Sequence, residues 1–276
     1  MGRNAPATVG VPRRADRGGT WRQLRITLLL LVLAVVVGQT WMDRVRTTSW
    51  TDPLWIGIYP LNGDGSAAAA RYVEALAPEA FAEIESFFAR EGHRYGRSLE
   101  QPVRIELYAP PREPPPVLAS GAGPLATVAW SLKLRWYAAH AQRDGTKPAP
   151  HIRVFVLYHD PEITPRVPHS LGLEKGLVGV VYAFADRGAT GSNAVVIAHE
   201  VMHTLGATDK YDPVSAAPLY PQGFAEPQRQ PRYPQRFAEI MAGRRPLSPA
   251  EFDMPDSLRE VVVGALTAAE IRWVRP

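Results

Sequence analysis

The chain has 276 residues, of which 46% are hydrophobic, and it contains seven histidines and no cysteine. Without cysteine, disulfide bonds and thiolate zinc sites are excluded, so the fold must rely on its hydrophobic core. The formal net charge is +4, but residues 1–42 carry +5 and residues 43–276 carry −1. Because the basic excess is confined to the N-terminus, we expect no nucleic-acid partner.

A hydrophobic segment follows a basic tail. Residues 1–25 hold six arginines and one aspartate, whereas residues 26–42 hold no charged residue. As a helix, residues 26–42 would rise about 25 Å, the short limit for crossing a bilayer. Val36-Val37-Gly38 is a poor cleavage site, so we predict an uncleaved signal-anchor in the bacterial inner membrane, with a cleaved signal peptide as the alternative. The arginines predict a cytoplasmic N-terminus and a periplasmic or extracellular domain.

The first elements after the anchor follow a predicted connector. Residues 43–65 mix aromatic residues with proline and glycine, which indicates an irregular connector. Residues 66–90 have helical composition, and Pro78 is expected to interrupt or restart that helix. Residues 103–108 alternate between apolar and polar side chains, which predicts a strand with one solvent-facing side. The proline-rich residues 110–116 predict a surface loop.

Three more elements precede the most informative motif. Residues 125–141 favour a helix, although their partial alternation also permits a strand. Residues 152–158 form an apolar run that predicts a buried strand. Residues 177–185 predict a further strand shortly before the motif.

The segment from His199 to Asp209 reads HEVMHTLGATD. In a helix, His199 and His203 lie about 40° apart on one face, so both imidazoles can bind one metal ion. Glu200 can take a proton from a water that the metal activates without binding the metal itself. Gly206 predicts a helix end with positive φ, after which the chain can bring Asp209 to the same ion. The pattern arises by chance in about one of a hundred such chains, which disfavours two ordinary core histidines.

This segment resembles the signature of the metzincin zinc peptidases, which have two helical histidines, a glycine where the helix turns and a third ligand six residues after the second histidine. Most metzincins have histidine as the third ligand. Asp209 resembles the snapalysin-type variant, and a carboxylate oxygen binds zinc well. Asp212 is an alternative third ligand, as are the more distant Glu226 and Glu239.

The resemblance implies two further site residues. Met241 lies at about the distance downstream at which metzincins have a Met-turn beneath the metal, although a methionine in a short apolar run is otherwise a core residue. Many metzincins have a tyrosine two residues later that assists the oxyanion, but Gly243 occupies that position here. We therefore assign the helper role to Tyr211, with Tyr220 and Tyr233 as alternatives.

The resemblance also implies a substrate-binding strand. In metzincins an antiparallel edge strand before the active-site helix pairs with the substrate backbone, and residues 177–185 look similar in placement. An ordinary strand without a ligand is the alternative. After the motif, residues 211–235 contain six prolines and predict a long loop beside the cleft. A final helix is expected to begin at Thr267, with Glu270 completing a capping box.

These elements, without an internal repeat or a second core, predict one α+β domain over residues 66–276. It would combine a mixed sheet, an active-site helix, a Met-turn and a C-terminal helix. The expected function is that of a membrane-anchored metalloendopeptidase that acts on peptides or proteins. It would bind Zn²⁺ through His199, His203 and Asp209, with Glu200 as general base.

Two alternatives to the peptidase stay open. One is a non-catalytic, zinc-stabilised envelope protein that binds peptides or cell-wall polymer, which Glu200 disfavours because a structural zinc site needs no base. The other is a zinc amidase that acts on cell-wall material. The sequence does not separate this amidase from a peptidase, because both reactions use the same groups.

Overall fold

The computed structural model describes residues 21–31, 34, 38, 47–119, 121–141, 147, 149–174 and 176–274. The chain divides into two units, Met1–Asp43 and Arg44–Pro276. In the first unit, residues 21–31 form a helix, α1. Within the described part of the chain, no helix has both the length and the apolar character needed to cross a membrane. Much of the predicted signal-anchor, namely residues 32–33, 35–37 and 39–42, lies outside the described residues, so the anchor stays a prediction.

The second unit has a mixed α+β architecture, as the sequence predicts. Its helices are α2 (Ala67–Glu74), α3 (Ala82–Arg94), α4 (Pro124–His140), α5 (Thr190–Thr204) and α6 (Ala265–Glu270). The main sheet contains β1 (Leu54–Asn62), β2 (Val103–Leu107), β3 (Ile152–His159), β4 (Leu171–Leu173) and β5 (Val178–Phe184). Four two-residue strands follow: β6 (Ala238–Glu239), β7 (Arg245–Pro246), β8 (Phe252–Asp253) and β9 (Val261–Val262).

The main sheet has the strand order β2-β1-β3-β5-β4. The first four strands are parallel, whereas β4 pairs antiparallel with β5 at the edge. Helices α3 and α5 pack on one face of the sheet together with the C-terminal Ile271 and Trp273. Helix α4 covers the other face, where Leu134 contributes to a cluster with Tyr59 and Phe155. Both faces are therefore buried, as the apolar runs in β1, β3 and β5 require.

Most of the predicted elements are confirmed. The helix around Pro78 consists of α2, a 3₁₀ helix at Pro78–Phe81 and α3, because proline starts a new helical turn more readily than it continues one. The expected strands over residues 103–108, 152–158 and 177–185 correspond to β2, β3 and β5. Residues 125–141 are helical, as α4.

The predicted connector, residues 43–65, is wrong for much of its length, because Leu54–Asn62 forms the buried strand β1. Its prolines explain the error. The carbonyl of Ile58 points towards β2, where it accepts a bond from the Tyr108 backbone N–H. Two residues later, the backbone nitrogen of Pro60 lies on the same side of β1. Pairing with β2 ends at Ile58. The missing N–H of Pro60 therefore costs no hydrogen bond of the sheet.

Two finer predictions need correction. Residues 177–185 do not form the sheet edge, because β5 lies between β3 and β4 and the antiparallel edge strand is Leu171–Leu173. The final helix begins at Ala265 rather than at Thr267. The Thr267 hydroxyl donates to the Glu239 carboxylate, and the Glu270 carboxylate accepts bonds from Thr208 and Lys210, so neither side chain forms the expected capping box.

Candidate metal centre

Helix α5 carries the histidine motif through the interior of the domain. Ile197, Ala198, Val201 and Met202 are at most 1% exposed, so the apolar sides of the helix are held by the core. At the start of α5, the side-chain amide of Asn193 accepts from the backbone N–H of Phe184 at 3.1 Å and donates to its C=O at 2.9 Å. These two bonds tie α5 to the end of β5.

The helix ends where the motif requires it. Gly206 has a φ of +100°, a conformation that costs glycine little and disfavours side-chain-bearing residues. The chain turns back there, and the N–H of Ala207 donates to the carbonyl of Met202. The predicted helix stop at Gly206 is thus confirmed, and it directs the following residues towards the two histidines.

The structure brings His199, His203 and Asp209 together. Oδ1 of Asp209 lies 3.2 Å from Nε2 of His199 and 3.1 Å from Nε2 of His203. One ligand atom from each residue lies within 4.8 Å of the other two, an arrangement that could hold a metal ion. Tetrahedral zinc with bonds of about 2.0–2.1 Å separates its ligand atoms by about 3.3 Å, so the observed spacing fits this ion.

Both histidines are oriented by main-chain carbonyls. Nδ1 of His199 lies 2.9 Å from the carbonyl oxygen of Ile240, and Nδ1 of His203 lies 2.9 Å from that of Ala207. A carbonyl oxygen only accepts, so each Nδ1 carries the hydrogen and each Nε2 of the neutral ring presents a lone pair. Three acceptor atoms therefore converge, an arrangement that a positive charge stabilises.

The contacts within the centre also shift the pKa values of His199 and Asp209. Burial lowers the pKa of His199, but the contact with Asp209 and the charge of Glu200 outweigh it, so this pKa lies above its ordinary value. Burial alone would raise the pKa of Asp209, yet the two histidines hold it well below the usual range. The Asp209 side chain is 42% exposed, whereas those of His199 and His203 are 12% and 17% exposed. The centre thus opens to solvent on the Asp209 side.

The turn around Met241 is bonded to the centre through its backbone. Ile240, Met241 and Ala242 are at most 2% exposed. The carbonyl of Ile240 orients His199, and the carbonyl of Met241 accepts a 2.9 Å bond from the backbone N–H of Lys210, the residue after Asp209. The backbone of this turn is consequently bonded to one candidate ligand and to the neighbour of another.

Glu239 holds that turn in place. Its carboxylate is fully buried and accepts four bonds, from the backbone N–H groups of Met241, Ala242 and Gly264 and from the hydroxyl of Thr267. It therefore joins the Met241 turn to the start of α6, and it is not available as a metal ligand.

A Glu239→Ala variant should lose about 3 kcal/mol or more of its free energy of unfolding, because each buried donor left without a partner costs about 1–3 kcal/mol. Its zinc affinity should fall about 10- to 100-fold, since the carbonyl that orients His199 is no longer fixed. Chemical denaturation and zinc competition titration measure the two effects. The exposed Glu100→Ala is the control, and equal behaviour of both variants would contradict the role given to Glu239.

Glu200 lies beside the converging atoms and does not join them. It is 5% exposed, and its Oε2 has no hydrogen-bond partner among the described residues. Burial raises the pKa of Glu200, partly offset by His199 and His203. A buried carboxylate oxygen without a partner is costly to maintain, and a carboxyl with a raised pKa beside a cavity is a candidate for proton transfer.

A cavity of about 370 Å³ opens next to Glu200 and His199. Tyr211 lines it, with its ring centroid 6.4 Å from that of His199. Burial, followed by the charges of Asp209 and Glu200, raises the pKa of Tyr211, so the phenol keeps its proton. Other parts of the wall come from remote segments: Val167, Pro168, Tyr182, Phe184, Arg244 and Met254.

The alternative site residues lie elsewhere. Asp212 accepts bonds from Val214 and Ser215 within its own turn, and Glu226 forms an ion pair with Arg236. Tyr220 and Tyr233 pack against Phe224 and do not line the cavity. Tyr211 is thus the member of the three predicted tyrosines that faces the centre.

Strand β4 passes close to the centre because Gly172 lacks a side chain. A Cβ at position 172 would meet the carbonyl oxygen of Glu200 and lie 2.7 Å from Cβ of His203. The sequence does not single out this three-residue strand. It is too short to show a pattern, and the contact joins segments that are distant in the chain.

A Gly172→Ala variant is expected to lose about 1–3 kcal/mol of its free energy of unfolding, because β4 or α5 must shift to admit the methyl group. Gly179→Ala is a matched control on the partner position of β5, where the nearest atom to a new Cβ is 3.5 Å away. That control should change the free energy of unfolding by less than about 1 kcal/mol. Equal denaturation midpoints for both variants would show that the close approach is not required.

The described residues thus contain two ring nitrogens and a carboxylate oxygen around one point, a buried Glu200 oxygen without a hydrogen-bond partner and an adjoining cavity. The wall formed by residues 167–170 and by Arg244 and Met254 is not predicted from the sequence, since no local pattern connects it to the motif. No protein-family model matches the chain, and no curated protein is significantly similar to it.

Proposed function

We propose that this protein is a zinc-dependent hydrolase of peptide bonds, in which His199, His203 and Asp209 hold the ion. The observation that carries the proposal is the convergence of three acceptor atoms beside the buried Glu200 carboxylate, whose Oε2 has no hydrogen-bond partner among the described residues. A purely structural site would close the fourth position and would need no neighbouring base. The non-catalytic binding protein is therefore the weaker alternative.

The donor set fits zinc. Two imidazole nitrogens and one carboxylate oxygen are ordinary zinc ligands, and a set of three leaves a position open for the reaction. When bound, zinc supplies a Lewis acid that acidifies a water and polarises a carbonyl group. The carbonyls of Ile240 and Ala207 keep the lone pairs of both rings directed at the site.

Proton transfer is assigned to Glu200. Its Oε2 accepts a proton from the attacking water, and the same carboxyl then delivers that proton to the amine that leaves. Burial raises the pKa of this carboxyl, which favours its protonated form before the proton is delivered to the leaving amine. The Tyr211 hydroxyl donates a hydrogen bond to the oxygen that develops negative charge, from its position on the cavity wall.

An extended peptide is the substrate that the surroundings favour. The outer side of β4 has no strand partner among the described residues, and the face of β4 at Gly172 packs against Glu200 and His203. Such an edge can add one more strand through main-chain hydrogen bonds. This antiparallel edge before the motif helix also supports the resemblance to metzincins. The mainly apolar cavity would receive one side chain of the substrate.

The proposed location of this domain is the outer side of a membrane. The arginine-rich tail and the uncharged residues 26–42 support a single-pass anchor with the N-terminus in the cytoplasm. Hydrolysis would then act on peptides or proteins in the periplasm or outside the cell.

Removal of the metal tests the proposal. The purified protein should contain about one zinc ion per chain, lose peptide hydrolysis with a chelator and regain it when zinc is added. A library of fluorogenic peptides and isolated peptidoglycan are assayed in parallel, and hydrolysis of peptidoglycan alone would replace the peptidase by an amidase. Absence of zinc after incubation and dialysis would contradict the proposal altogether.

A further inference from the structure

Helix α4 leaves an apolar stripe exposed. Leu134 and Ala138 face the sheet and are buried. The opposite side carries apolar residues at intervals of three and four, which places them on one helical face. Their exposed fractions are 87%, 57%, 58% and 65% for Leu125, Val128, Leu132 and Trp136, respectively. Single exposed apolar residues are ordinary, whereas four aligned on one helix indicate a contact surface.

The charged residues within α4 itself are all cationic. Residues 114–143 contain no aspartate or glutamate, while α4 contains Lys133 and Arg135. Lys133 is exposed, and Trp136 packs against His140 with a centroid distance of 4.3 Å. Tryptophan is enriched where a membrane meets water, and cations favour anionic headgroups. The composition of the stripe is thus complementary to an anionic lipid surface.

The topology places one end of α4 near the start of the domain. Because α4 connects the parallel strands β2 and β3, it runs back across the sheet, and its C-terminal end lies at the edge where the parallel strands begin. The side chain of Arg135 accordingly lies against Gly176, just ahead of β5. The first parallel strand in the chain is β1, so the stripe extends to the edge at which the chain enters the sheet.

Few residues separate the predicted anchor from the domain. The predicted anchor ends at residue 42, and Thr47 and Thr48 are already buried in the domain. The chain between residues 42 and 47 reaches at most about 18 Å. The predicted anchor would therefore keep lipid within reach of the domain, and the exposed stripe is an apolar surface suited to contact with it.

We propose that the stripe formed by Leu125, Val128, Leu132 and Trp136 lies in the interface of an anionic lipid bilayer. The contact fixes the orientation of the domain on the membrane, which is a property separate from hydrolysis. It uses the anchor prediction only to explain why lipid is close to the domain.

The absence of cysteine makes a direct test possible. Leu132→Cys in the full chain is labelled with an environment-sensitive fluorophore and reconstituted into vesicles of phosphatidylcholine, with or without phosphatidylglycerol. Val214→Cys is the matched control, because Val214 is 94% exposed and lies in the loop after the metal centre. In vesicles with phosphatidylglycerol, we expect a blue shift and severalfold stronger quenching by spin-labelled lipids at position 132 than at position 214.

A second variant tests how much the charge of Lys133 contributes to lipid binding. Adding Lys133→Gln to the labelled chain should lower the preference for phosphatidylglycerol about fivefold, as expected for one cation at an anionic surface. Equal quenching at positions 132 and 214, or equal quenching in both lipid mixtures, would overturn the proposal. A blue shift at position 132 that depends on protein concentration and resists lipid quenchers would instead assign the stripe to a second copy of the chain. Release of the protein by alkaline carbonate would refute the anchor alone, because a peripheral contact is lost there in any case.

Discussion

A Glu200→Gln variant is expected to retain zinc and to lose peptide hydrolysis by about 10²- to 10⁴-fold, the usual contribution of a general base. Glutamine keeps the size of the side chain but cannot take up the proton. Metal binding should be unaffected, since Glu200 does not belong to the group of converging ligand atoms. Zinc analysis and initial rates on a fluorogenic peptide measure the two properties on the same sample.

The exposed Glu251→Gln is the control for this exchange and should cleave at the native rate. Hydrolysis at the native rate by Glu200→Gln would remove Glu200 from the mechanism. Loss of zinc from Glu200→Gln would have another meaning, namely that this carboxylate binds the ion and that the ligand set is wrong.

A His203→Ala variant should bind zinc more than about 100-fold less tightly, because even the loss of a group that orients a ligand costs 10- to 100-fold. The native protein should also gain about 2.7 kcal/mol in its free energy of unfolding at a zinc concentration 100 times the dissociation constant. The variant should not gain this stability. Thermal unfolding with and without zinc, together with metal analysis, measures both effects.

His93→Ala is the matched control, because His93 is exposed at the end of α3 and far along the chain from the motif. It should keep the native zinc content and the native response to zinc. Unchanged zinc content in His203→Ala would contradict the assignment of this ligand. Equal loss of stability in both variants without zinc would show a general effect of removing a histidine.

Local patterns predict much of the centre. His199 and His203 are one helical turn apart, and Gly206 ends the helix at the residue where a positive φ is needed, so both features follow from helix geometry alone. The position of Asp209 follows from the same turn. In contrast, the contacts of Ile240 and Glu239 with the site and with α6 join segments that the sequence does not connect.

The fold likewise combines elements that local patterns predict with elements that depend on contacts between distant segments. Apolar runs predict β3 and β5 because their residues are buried on both faces, whereas β1 contains a proline and was expected to be irregular. Pro60 is tolerated only because β2 has already ended beside it, a circumstance that depends on the register between two strands. Likewise, the short β4 becomes recognisable as a strand only when it pairs with β5.

By itself, the sequence determined the candidate ligands, the neighbouring carboxylate, the end of the motif helix and most of the regular elements, since each depends on side chains only a few residues apart. The tertiary structure alone decided which strand forms the edge, which tyrosine faces the centre and which remote residues enclose the cavity. It also decided that Glu239 supports the Met241 turn rather than joining the candidate ligands. These features depend on packing between distant segments, and packing is set by the whole core rather than by any local pattern.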